Sequence, residues 1–453
     1  MAIDPDELKT LVDWENGQIS PRIFIDEEIY RQELAQVFDR AWLFLAHDSM
    51  IPEPNDFFST YMGGDPVIVS RLADGSVTAF LNACRHRGMK VCRAEDGNAK
   101  SFMCTYHGWT YDNEGKLINV PMSEEAYLGD LDYSQNGLLK VAQIDSYRGL
   151  HFATFDPEAP PLLDYLGDMT FYLDSFLDQT PGGIEFLPGV IKWTIHGNWK
   201  MGAEQFGGDA YHAVITHASS FGAYNKRRDR DSNMGEQAAL REGHTTGYSL
   251  AGTKSELRDI LRHEDGEHQP SDDWEAEKLA IAEQRLGPER AKLRGHMNVF
   301  PNFSGLPGQA NLRIWHPKGP NKFEIWSFTV VDKDAPDEVK RGTQLSATVT
   351  EGAAGVVESD DGENWDLIGQ LLEQGHRTRE MKWNYTMGIG KEDRMHAGFP
   401  GKLSRTIMSE GPQRAFYRRW LEFMTSAKWP YTPKSAQAAP NGTGSATVSE
   451  HAR

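Results

Sequence analysis

The first stretch with regular hydrophobic spacing runs from Asp26 to about His47. Apolar residues there recur every three or four positions, which is the spacing of an amphipathic α-helix. Asp26 can cap the N-terminus of such a helix, and the two glutamates that follow it suit the first turn. The apolar positions are Ile29, Leu34, Val37, Phe38 and Trp42. The pattern therefore predicts one helix over about residues 26–47.

Between Phe57 and Phe155 the helical spacing gives way to short apolar runs separated by turn residues, which is typical of strands and hairpins. The clearest runs are 67–69 and 77–81 around Asp74-Gly75, and 109–111 and 117–120 around Asn113-Glu114-Gly115. This region is predicted to be a small all-β domain that ends at the prolines of 157–161. Beyond it, Lys322–Val331 predicts a strand, whereas Trp365–Gln374 and Gln413–Ser426 predict helices, so the second region is α+β.

Length and charge narrow the possible partners. The chain has 453 residues, enough for two or three domains, and 39% apolar residues with 12 Trp, which is a globular composition. Lys and Arg number 47 against 66 Asp and Glu, giving a net charge of -19, which disfavours nucleic acid and anionic membrane surfaces. The N-terminus lacks an apolar signal segment, and no apolar run reaches bilayer length. A soluble, cytoplasmic protein is expected.

The three cysteines are too few for a disulfide framework, and two of them belong to a metal-binding pattern. Cys84-Arg85-His86 is followed, after seventeen residues, by Cys104-Thr105-Tyr106-His107. A common zinc finger takes two Cys from one knuckle and two His from the other, whereas here each half supplies one of each. A Rieske [2Fe–2S] cluster needs this set, because two Cys hold one iron and two His hold the other. Cys92 lies outside the pattern and is interpreted as a packing residue.

A second group follows downstream as Asp209, His212 and His217, with the spacing D-x2-H-x4-H. On an unbroken helix the two histidines would point about 140° apart. Either the helix ends near Thr216 or a π-bulge separates them. Two neutral imidazoles need one carboxylate to build a facial triad for Fe(II). The acidic run Glu358–Glu363 could supply it or could simply open the following helix, and its residues alone do not choose between Asp360 and Asp361.

Together these motifs resemble the large (α) subunit of the Rieske non-haem iron aromatic-ring-hydroxylating dioxygenases, the naphthalene, biphenyl and phenylpropionate dioxygenase group. The resemblance covers Arg40-Ala41-Trp42, the two Cys/His loops, N-W-K-x-x-x-E-Q-F-x-x-D-x-Y-H, His296-Met297-Asn298 and E-S-D-D-G-E-N-W. It implies an α+β fold in which an all-β Rieske domain is inserted in a catalytic domain with a central antiparallel sheet and surrounding helices. The expected ranges are 1–39 and 157–433 for the catalytic domain, 40–156 for the Rieske domain and 434–453 for a disordered tail.

The resemblance also implies roles for individual residues. Cys84 and Cys104 would bind one iron of the cluster, and His86 and His107 the other. The mononuclear Fe(II) would be bound by His212, His217 and Asp361. Asp209 would bridge His212 to the cluster of a neighbouring subunit. The pocket would be lined by Gln205, Phe206, Ala213, Val214, His296, Asn298 and Glu351, together with the run Gly352–Val357.

The implied reaction adds both atoms of O2 to adjacent carbons of an aromatic ring and gives a cis-dihydrodiol. A polycyclic or biaryl hydrocarbon is the expected substrate. No dinucleotide-binding motif is present, so NADH would act indirectly through a reductase and a ferredoxin, for which Arg85, Arg87 and Lys90 beside the cluster loop offer a basic contact. A β subunit would complete an α3β3 assembly.

Three alternatives stay open. Several relatives carry a bulky apolar residue ten positions before the metal Asp, whereas this chain has Glu351. Its side chain either faces solvent or gives the pocket a polar handle, in which case a polar aromatic acid such as phenylpropionate or phthalate would fit. A Rieske monooxygenase shares the metal motifs. A zinc-stabilised binding protein would use the four Cys and His residues structurally.

Overall fold

The computed structural model describes residues 3–223, 235–250, 270–392, 398–404 and 406–430, so the predicted tail lies outside the described part. The helices are α1 (Pro5–Leu11), α2 (Glu27–Glu33), α3 (Ser123–Tyr127), α4 (Leu162–Leu166), α5 (Met169–Leu177), α6 (Trp199–Gly208), α7 (Ala213–Thr216), α8 (Ala218–Ala223), α9 (Pro270–Leu286), α10 (Asp337–Glu351), α11 (Glu358–Gln374), α12 (His376–Glu380) and α13 (Gly411–Thr425). Within these ranges, no helix combines the length and apolar character needed to cross a bilayer.

The strands are β1 (Val12–Asp13), β2 (Gln18–Ile19), β3 (Leu43–His47), β4 (Asp56–Met62), β5 (Asp65–Arg71), β6 (Val77–Leu81), β7 (Asp96–Asn98), β8 (Ser101–Met103), β9 (Thr110–Asp112), β10 (Leu117–Asn119), β11 (Gln143–Tyr147), β12 (Leu150–Thr154), β13 (Ile184–Phe186), β14 (Ile191–Ile195), β15 (Glu236–Ala239), β16 (Thr245–Leu250), β17 (Leu293–Val299), β18 (Phe303–Leu306), β19 (Asn311–Gly319), β20 (Lys322–Asp332), β21 (Trp383–Asn384) and β22 (Lys402–Leu403). The strands predicted after residue 57 and the helix predicted over Gln413–Ser426 are confirmed to within two residues at their ends. The helix predicted over Trp365–Gln374 begins seven residues earlier, at Glu358.

The inserted region is built from three small antiparallel sheets. Their orders are β6-β5-β4-β7, β10-β9-β8 and β11-β12-β3. The cluster-binding loops leave the first two sheets and enclose their own apolar core, which includes Phe57, Ile68 and Phe80. At the base, Phe44 of β3 stacks on Phe303 of β18 with ring centres 4.3 Å apart. The third sheet therefore shares the main core of the molecule.

The catalytic region is organised around a nine-stranded antiparallel sheet. Its order is β13-β20-β19-β18-β17-β16-β15-β22, and β14 also pairs with β20. Helix α6 packs over β16 to β19, and α13 packs against α6. The approach of α6 to the sheet requires a glycine at Gly202, because a Cβ there would lie 2.5 Å from the ring of Trp315. Helix α6 ends at Gly208 and leads directly into the D-x2-H-x4-H segment.

The N-terminal segment belongs structurally with the C-terminal helix. Gln32 donates to the carbonyl oxygen of Met424 at 3.1 Å, and Arg40 donates to that of Ser426 at 2.7 Å. The all-β region is the part of the chain between residue 40 and α4, so it is inserted between the N-terminal segment and the rest of the catalytic region. The observed architecture is therefore the predicted α+β fold with an inserted all-β domain.

The helix predicted over about 26–47 is wrong in its second half. Asp26 does cap α2, because its Oδ1 accepts from the backbone N–H of Glu28 and Ile29. The helix continues as a π-helical turn over Leu34–Phe38 and then ends, and Leu43–His47 is a strand paired with β12. Every residue of this strand is buried. A strand that is buried on both faces does not alternate apolar and polar residues. Its continuous apolar run was therefore compatible with the helical spacing before it, and the sequence pattern did not mark the change from helix to strand.

Candidate metal centres

Two loops of the inserted domain bring together the four residues of the C-x-H and C-x2-H motifs. The loops are built alike: Gly88 N–H donates to the Cys84 carbonyl at 2.8 Å, and Gly108 N–H donates to the Cys104 carbonyl at 2.9 Å. Both glycines have positive φ, +71° and +75°, a backbone conformation that favours glycine. Each glycine therefore turns the chain back so that a thiol and an imidazole point to the same side.

The donor set of these loops fits a Rieske cluster. Cys84 and Cys104 are buried free thiols. The rings of His86 and His107 have centres 4.4 Å apart, and Nδ1 of His86 is buried without a hydrogen-bond partner among the described residues. Two thiols on one side and two imidazole nitrogens on the other match the ligands of a [2Fe–2S] cluster with mixed coordination.

Neighbouring side chains hold this donor set. The Tyr111 hydroxyl lies 3.3 Å from Cys84 Sγ, and the ring of Trp109 stacks on that of His86 at 5.2 Å. Burial, together with the nearby Cys84 thiol, raises the pKa of Cys104. Such a thiol ionises readily only when a metal shares its charge. Cys92 is also buried but has its Sγ directed to the Ala94 carbonyl at 3.7 Å, consistent with a packing role.

The second group is formed where α6 ends. Asp209 follows α6, a 3₁₀ turn spans Ala210–His212, and the short helix α7 ends at Thr216 with His217 as its C-cap. The helix therefore ends near Thr216, which is one of the two arrangements that the spacing required. This break removes the angular mismatch between the two histidines and lets both rings face α11.

His212, His217 and Asp361 form a compact donor set. Asp361 Oδ1 lies 3.2 Å from His212 Nε2 and 3.5 Å from His217 Nε2, and the three ligand atoms all lie within 4.8 Å of one another. This Asp361 oxygen is buried and accepts no hydrogen bond within the described ranges. Two imidazoles and one carboxylate are the facial set that binds non-haem Fe(II) and leaves other positions open.

The opposite ring nitrogens are held by other groups. His212 Nδ1 contacts the Asp209 backbone carbonyl and lies 3.5 Å from Asp209 Oδ1. His217 Nδ1 lies 3.1 Å from Asp360 Oδ2. Such contacts fix ring orientation and direct Nε2 to the metal. The adjacent acids, between which the sequence alone did not choose, thus differ in position: Asp361 faces the Nε2 atoms and Asp360 faces Nδ1.

The electrostatics match a cation site. Burial raises the pKa of Asp361, but the two nearby imidazoles and the Arg313 guanidinium together lower it below its usual value. Burial would lower the pKa of His212, but the adjacent carboxylates of Asp209 and Asp361 raise it well above the usual value. Burial lowers the pKa of His217. A bound cation would displace the proton of His212 and take its place beside Asp361.

Three of the predicted pocket residues lie beside this group. Gln205 Nε2 is 3.4 Å from His212 Nε2, and its Oε1 accepts from Trp365 Nε1 at 3.0 Å. The Phe206 carbonyl accepts from His296 Nδ1 at 2.9 Å. Burial lowers the pKa of His296 to about 4, so this ring is neutral near pH 7. Its Nδ1 therefore carries the proton, and its buried Nε2 is an acceptor.

The other pocket predictions have different surroundings. Asn298 is buried and bonded within the sheet, with Oδ1 accepting from Ser304 Oγ at 2.7 Å and Nδ2 donating to the Pro301 carbonyl at 3.4 Å. Ala213 begins α7 and is half-buried. The side chain of Val214, in the same helix, lies outside the described part. Both polar atoms of the Asn298 side chain are therefore used in hydrogen bonds within the protein.

Of the two alternatives left open for Glu351, the structure excludes the solvent-facing side chain. It is only 3% exposed, and its Oε2 bonds Arg313 Nη2 at 2.9 Å. Burial raises its pKa to about 7, while the guanidinium opposes this shift. Its carboxylate is bound by Arg313, so any polar handle that it gives the pocket would be this ion pair and not a free carboxylate.

Sequence reasoning assigned no individual role to three titratable residues around the site: Arg313 and Glu358, which are buried, and Glu204, which is partly buried. Arg313 interrupts the apolar run of β19, and a charge within such a run is the signal that could have found it. Glu204 lies in α6 within the E-Q motif, where Tyr385 donates to its Oε1 at 2.9 Å. Burial raises the pKa of Glu204 to about 8. It is therefore a neutral acid close to the Asp209 end of α6.

Glu204→Gln is expected to make the stability of the protein less sensitive to pH. The raised pKa means that the native state holds a proton that the unfolded state releases above pH 4.5. This stabilisation is complete below that pH and is lost as the pH rises to about 8, by about 1.4 kcal/mol per pH unit. Melting temperatures across this range should fall more steeply for the wild type than for Glu204→Gln. The exposed Glu158→Gln should follow the wild type, and parallel curves for wild type and Glu204→Gln would contradict the assignment.

Comparison with protein families finds two matches. Residues 41–144 match the Rieske [2Fe-2S] domain, and residues 170–426 match the ring hydroxylating alpha subunit (catalytic domain). The first range contains all four Cys and His residues of the two loops. The second contains the D-x2-H-x4-H segment and the acidic run.

Individual relatives are similar over nearly their whole length. The chain is 42% identical to biphenyl 2,3-dioxygenase subunit alpha of Rhodococcus jostii (strain RHA1) over 434 residues, covering 93% of this chain and 92% of the relative. It is 43% identical to benzene 1,2-dioxygenase subunit alpha of Pseudomonas putida over 433 residues, covering 93% and 94%. Among solved structures, a naphthalene 1,2-dioxygenase variant bound to phenanthrene superposes with a TM-score of 0.86 at 34% identity, covering 94% of this chain and 96% of that one.

Proposed function

Because the chain belongs to the Rieske-type aromatic-ring-hydroxylating dioxygenase alpha-subunit family, we propose that it is the large subunit of a terminal oxygenase that adds both atoms of O2 to adjacent carbons of an aromatic ring. The product is a cis-dihydrodiol. The family carries one Rieske cluster and one mononuclear iron, which agrees with the predicted cofactors. A purely structural zinc role for the four Cys and His residues does not fit this family.

The proposal is carried by the grouping of His212, His217 and Asp361 in a chain that also holds the two Cys/His loops. When bound, the iron supplies a site for dioxygen and the cluster supplies electrons. The residues of the chain orient the metal ligands and surround the substrate. Asp360 and Asp209 hold the two imidazoles with Nε2 towards the metal side. Gln205 lies next to His212, where a substrate ring would meet the metal site.

The paired charges favour a hydrocarbon over an aromatic acid. A substrate carboxylate buried in the pocket would need a cation with free hydrogen-bond donors. Arg313, the cation that contacts Phe206, is already bound to Glu351 and Glu358. The carboxylates of Asp209 and Asp360 lie beside the ligand histidines and would repel a substrate carboxylate. The other neighbours are an amide, a neutral imidazole and aromatic rings. We infer that the pocket accepts an uncharged ring, as the names of the biphenyl, benzene and naphthalene relatives indicate for those proteins.

Further subunits are part of this proposal. The relatives are subunits of multicomponent systems, so we infer a β subunit, in an α3β3 assembly, and electron-transfer partners for this chain. NADH would be used through a reductase and a ferredoxin. Arg85 and Arg87 are exposed on the cluster loop and offer a basic contact to an acidic ferredoxin. Asp209 would connect His212 to the cluster of the next subunit.

A product screen tests the reaction class and the substrate class together. The α and β subunits are purified with a ferredoxin and its reductase and supplied with NADH. The substrates are naphthalene, phenanthrene, biphenyl and phenylpropionate. We expect cis-dihydrodiols from the hydrocarbons, with both oxygen atoms labelled by ¹⁸O2, and little conversion of phenylpropionate.

Each other outcome corrects a particular part of the proposal. A monohydroxylated product with one labelled oxygen would make the protein a Rieske monooxygenase. Preferred conversion of phenylpropionate would overturn the inference from the paired Arg313. An active preparation that contains no β subunit would refute the α3β3 assembly while leaving the reaction class intact.

A further inference from the structure

Arg313 lies inside the catalytic domain, between the central sheet and the ends of two helices. Its side chain has no exposed surface. Nη2 bonds Glu351 Oε2 at 2.9 Å, and Nη1 lies 2.6 Å from Glu358 Oε2. Nε donates to Asn311 Oδ1 at 2.6 Å, which fixes the plane of the guanidinium. All three nitrogens therefore face oxygen atoms inside the protein.

These contacts control the segment that carries Asp361. Glu358 begins α11, and Asp361 follows three residues later, so the two carboxylates share one face of the first turn. Glu351 ends α10. The six residues 352–357 join the two helices, and Arg313 binds the acid on either side of them. The guanidinium thus ties both ends of this connection to β19.

Glu358 depends on this single cation. Its side chain is 1% exposed, and apart from the contact of Oε2 with Arg313 Nη1, neither carboxylate oxygen has a hydrogen-bond partner in the described part of the chain. Burial raises its pKa well above the usual value, and Arg313 opposes that shift. Without the guanidinium, Glu358 would be an unpaired buried carboxylate beside Asp361. Such a group takes up a proton or moves towards water, and either change disturbs the first turn of α11.

The guanidinium also contacts the histidine side of the site. Its central carbon lies 4.6 Å from the centre of the Phe206 ring. Phe206 belongs to α6, which leads directly into Asp209 and His212. A cation over an aromatic face is attracted by the ring and packs against it. Arg313 therefore touches both chain segments that bring ligands to the metal.

We propose that Arg313 is a positioning residue of the mononuclear iron site: by binding Glu351 and Glu358 it fixes the place of Asp361 and so sets the affinity for Fe(II). The inference rests on the proposed iron site. It differs from a purely structural role, in which the buried ion pairs would affect folding stability alone.

The test compares Arg313→Met with Arg419→Met. Arg419 is a matched control because it is also a buried arginine. It lies in α13, where it pairs with Glu422 of the same helix and donates to the backbone carbonyl of Arg241. The Fe(II) dissociation constant of the α and β assembly is measured anaerobically by competition with a chelator, alongside melting temperature and cluster absorbance. Loss of groups that orient metal ligands typically weakens metal binding about 10–100-fold. We expect that loss for Arg313→Met and less than about a threefold change for Arg419→Met, with cluster absorbance intact in both.

A triple variant keeps the test decisive if Arg313→Met fails to fold. Arg313→Met with Glu351→Leu and Glu358→Leu removes the three charges together, and such replacement of a buried ionic group is often tolerated. It should melt near the wild type yet bind Fe(II) as weakly as Arg313→Met. Wild-type Fe(II) affinity in either variant would overturn the positioning role. If His212→Ala binds Fe(II) as tightly as the wild type, the proposed iron site itself fails instead.

Discussion

Replacing His212 by alanine is expected to abolish ring oxidation while leaving the Rieske cluster intact. The imidazole contributes Nε2, which lies 3.2 Å from Asp361 Oδ1 in the three-ligand set. Without it, one imidazole and one carboxylate remain, too few to hold Fe(II) with a defined open face. Because even orienting groups are worth about 10–100-fold in affinity, loss of a ligand should lower iron occupancy and turnover by more than about 100-fold. Iron content, turnover and the EPR signal of the reduced cluster measure the three effects separately.

The control for this change is His376→Ala, because His376 is 82% exposed in its side chain and lies in α12. It should keep iron, turnover and the cluster signal. In His212→Ala the cluster should still account for two irons per α subunit, bound by Cys84, Cys104, His86 and His107. Loss of the cluster signal together with the mononuclear iron would refute the assignment of two separate metal sites. Retained turnover would remove His212 from the iron site.

The local motifs of the cluster loops could be recognised from the sequence because their ligands are close neighbours in the chain. Cys84 and His86, or Cys104 and His107, are brought together by one tight turn, and the glycine after each pair marks that turn. Periodicity alone misread Leu43–His47, where burial on both faces removes the signal that separates strand from helix. Local chemistry was therefore more informative here than hydrophobic spacing.

The carboxylate side of the iron site depends on tertiary contacts. Asp360 and Asp361 are adjacent residues of the same type in the first turn of α11, so nothing local ranks them. Their difference arises from the direction in which α11 presents its first turn: Asp361 meets Nε2 of both histidines, and Asp360 meets Nδ1 of His217. The pairing of Arg313 with Glu351 and Glu358 joins residues 38 and 45 positions apart across the sheet and helix ends. Only the resemblance to the family selected Asp361 in advance, and nothing predicted the arginine.

Asp209→Ala is expected to leave both metals bound but to break the electron path between them. The carboxylate accepts from His212 N–H at 3.3 Å and lies 3.5 Å from His212 Nδ1, and a quarter of its side chain is exposed. A partly exposed carboxylate beside a ligand histidine can also bind a group on another subunit, as proposed for the cluster of the neighbouring subunit. Without it, we expect the reduced cluster to be reoxidised by O2 and substrate about 100-fold more slowly.

Single-turnover absorbance of the prereduced oxygenase measures this rate directly, because the cluster changes colour when it loses an electron. Asp366→Asn is the matched control, since Asp366 is a partly exposed acid of α11. Asp209→Asn separates charge from shape: if the bridge needs a negative acceptor, this variant should be nearly as slow as Asp209→Ala. Normal reoxidation in Asp209→Ala would refute the bridging role. Loss of the mononuclear iron would show instead that Asp209 serves only to orient His212, because the slow step would then be absence of the metal and not absence of the path.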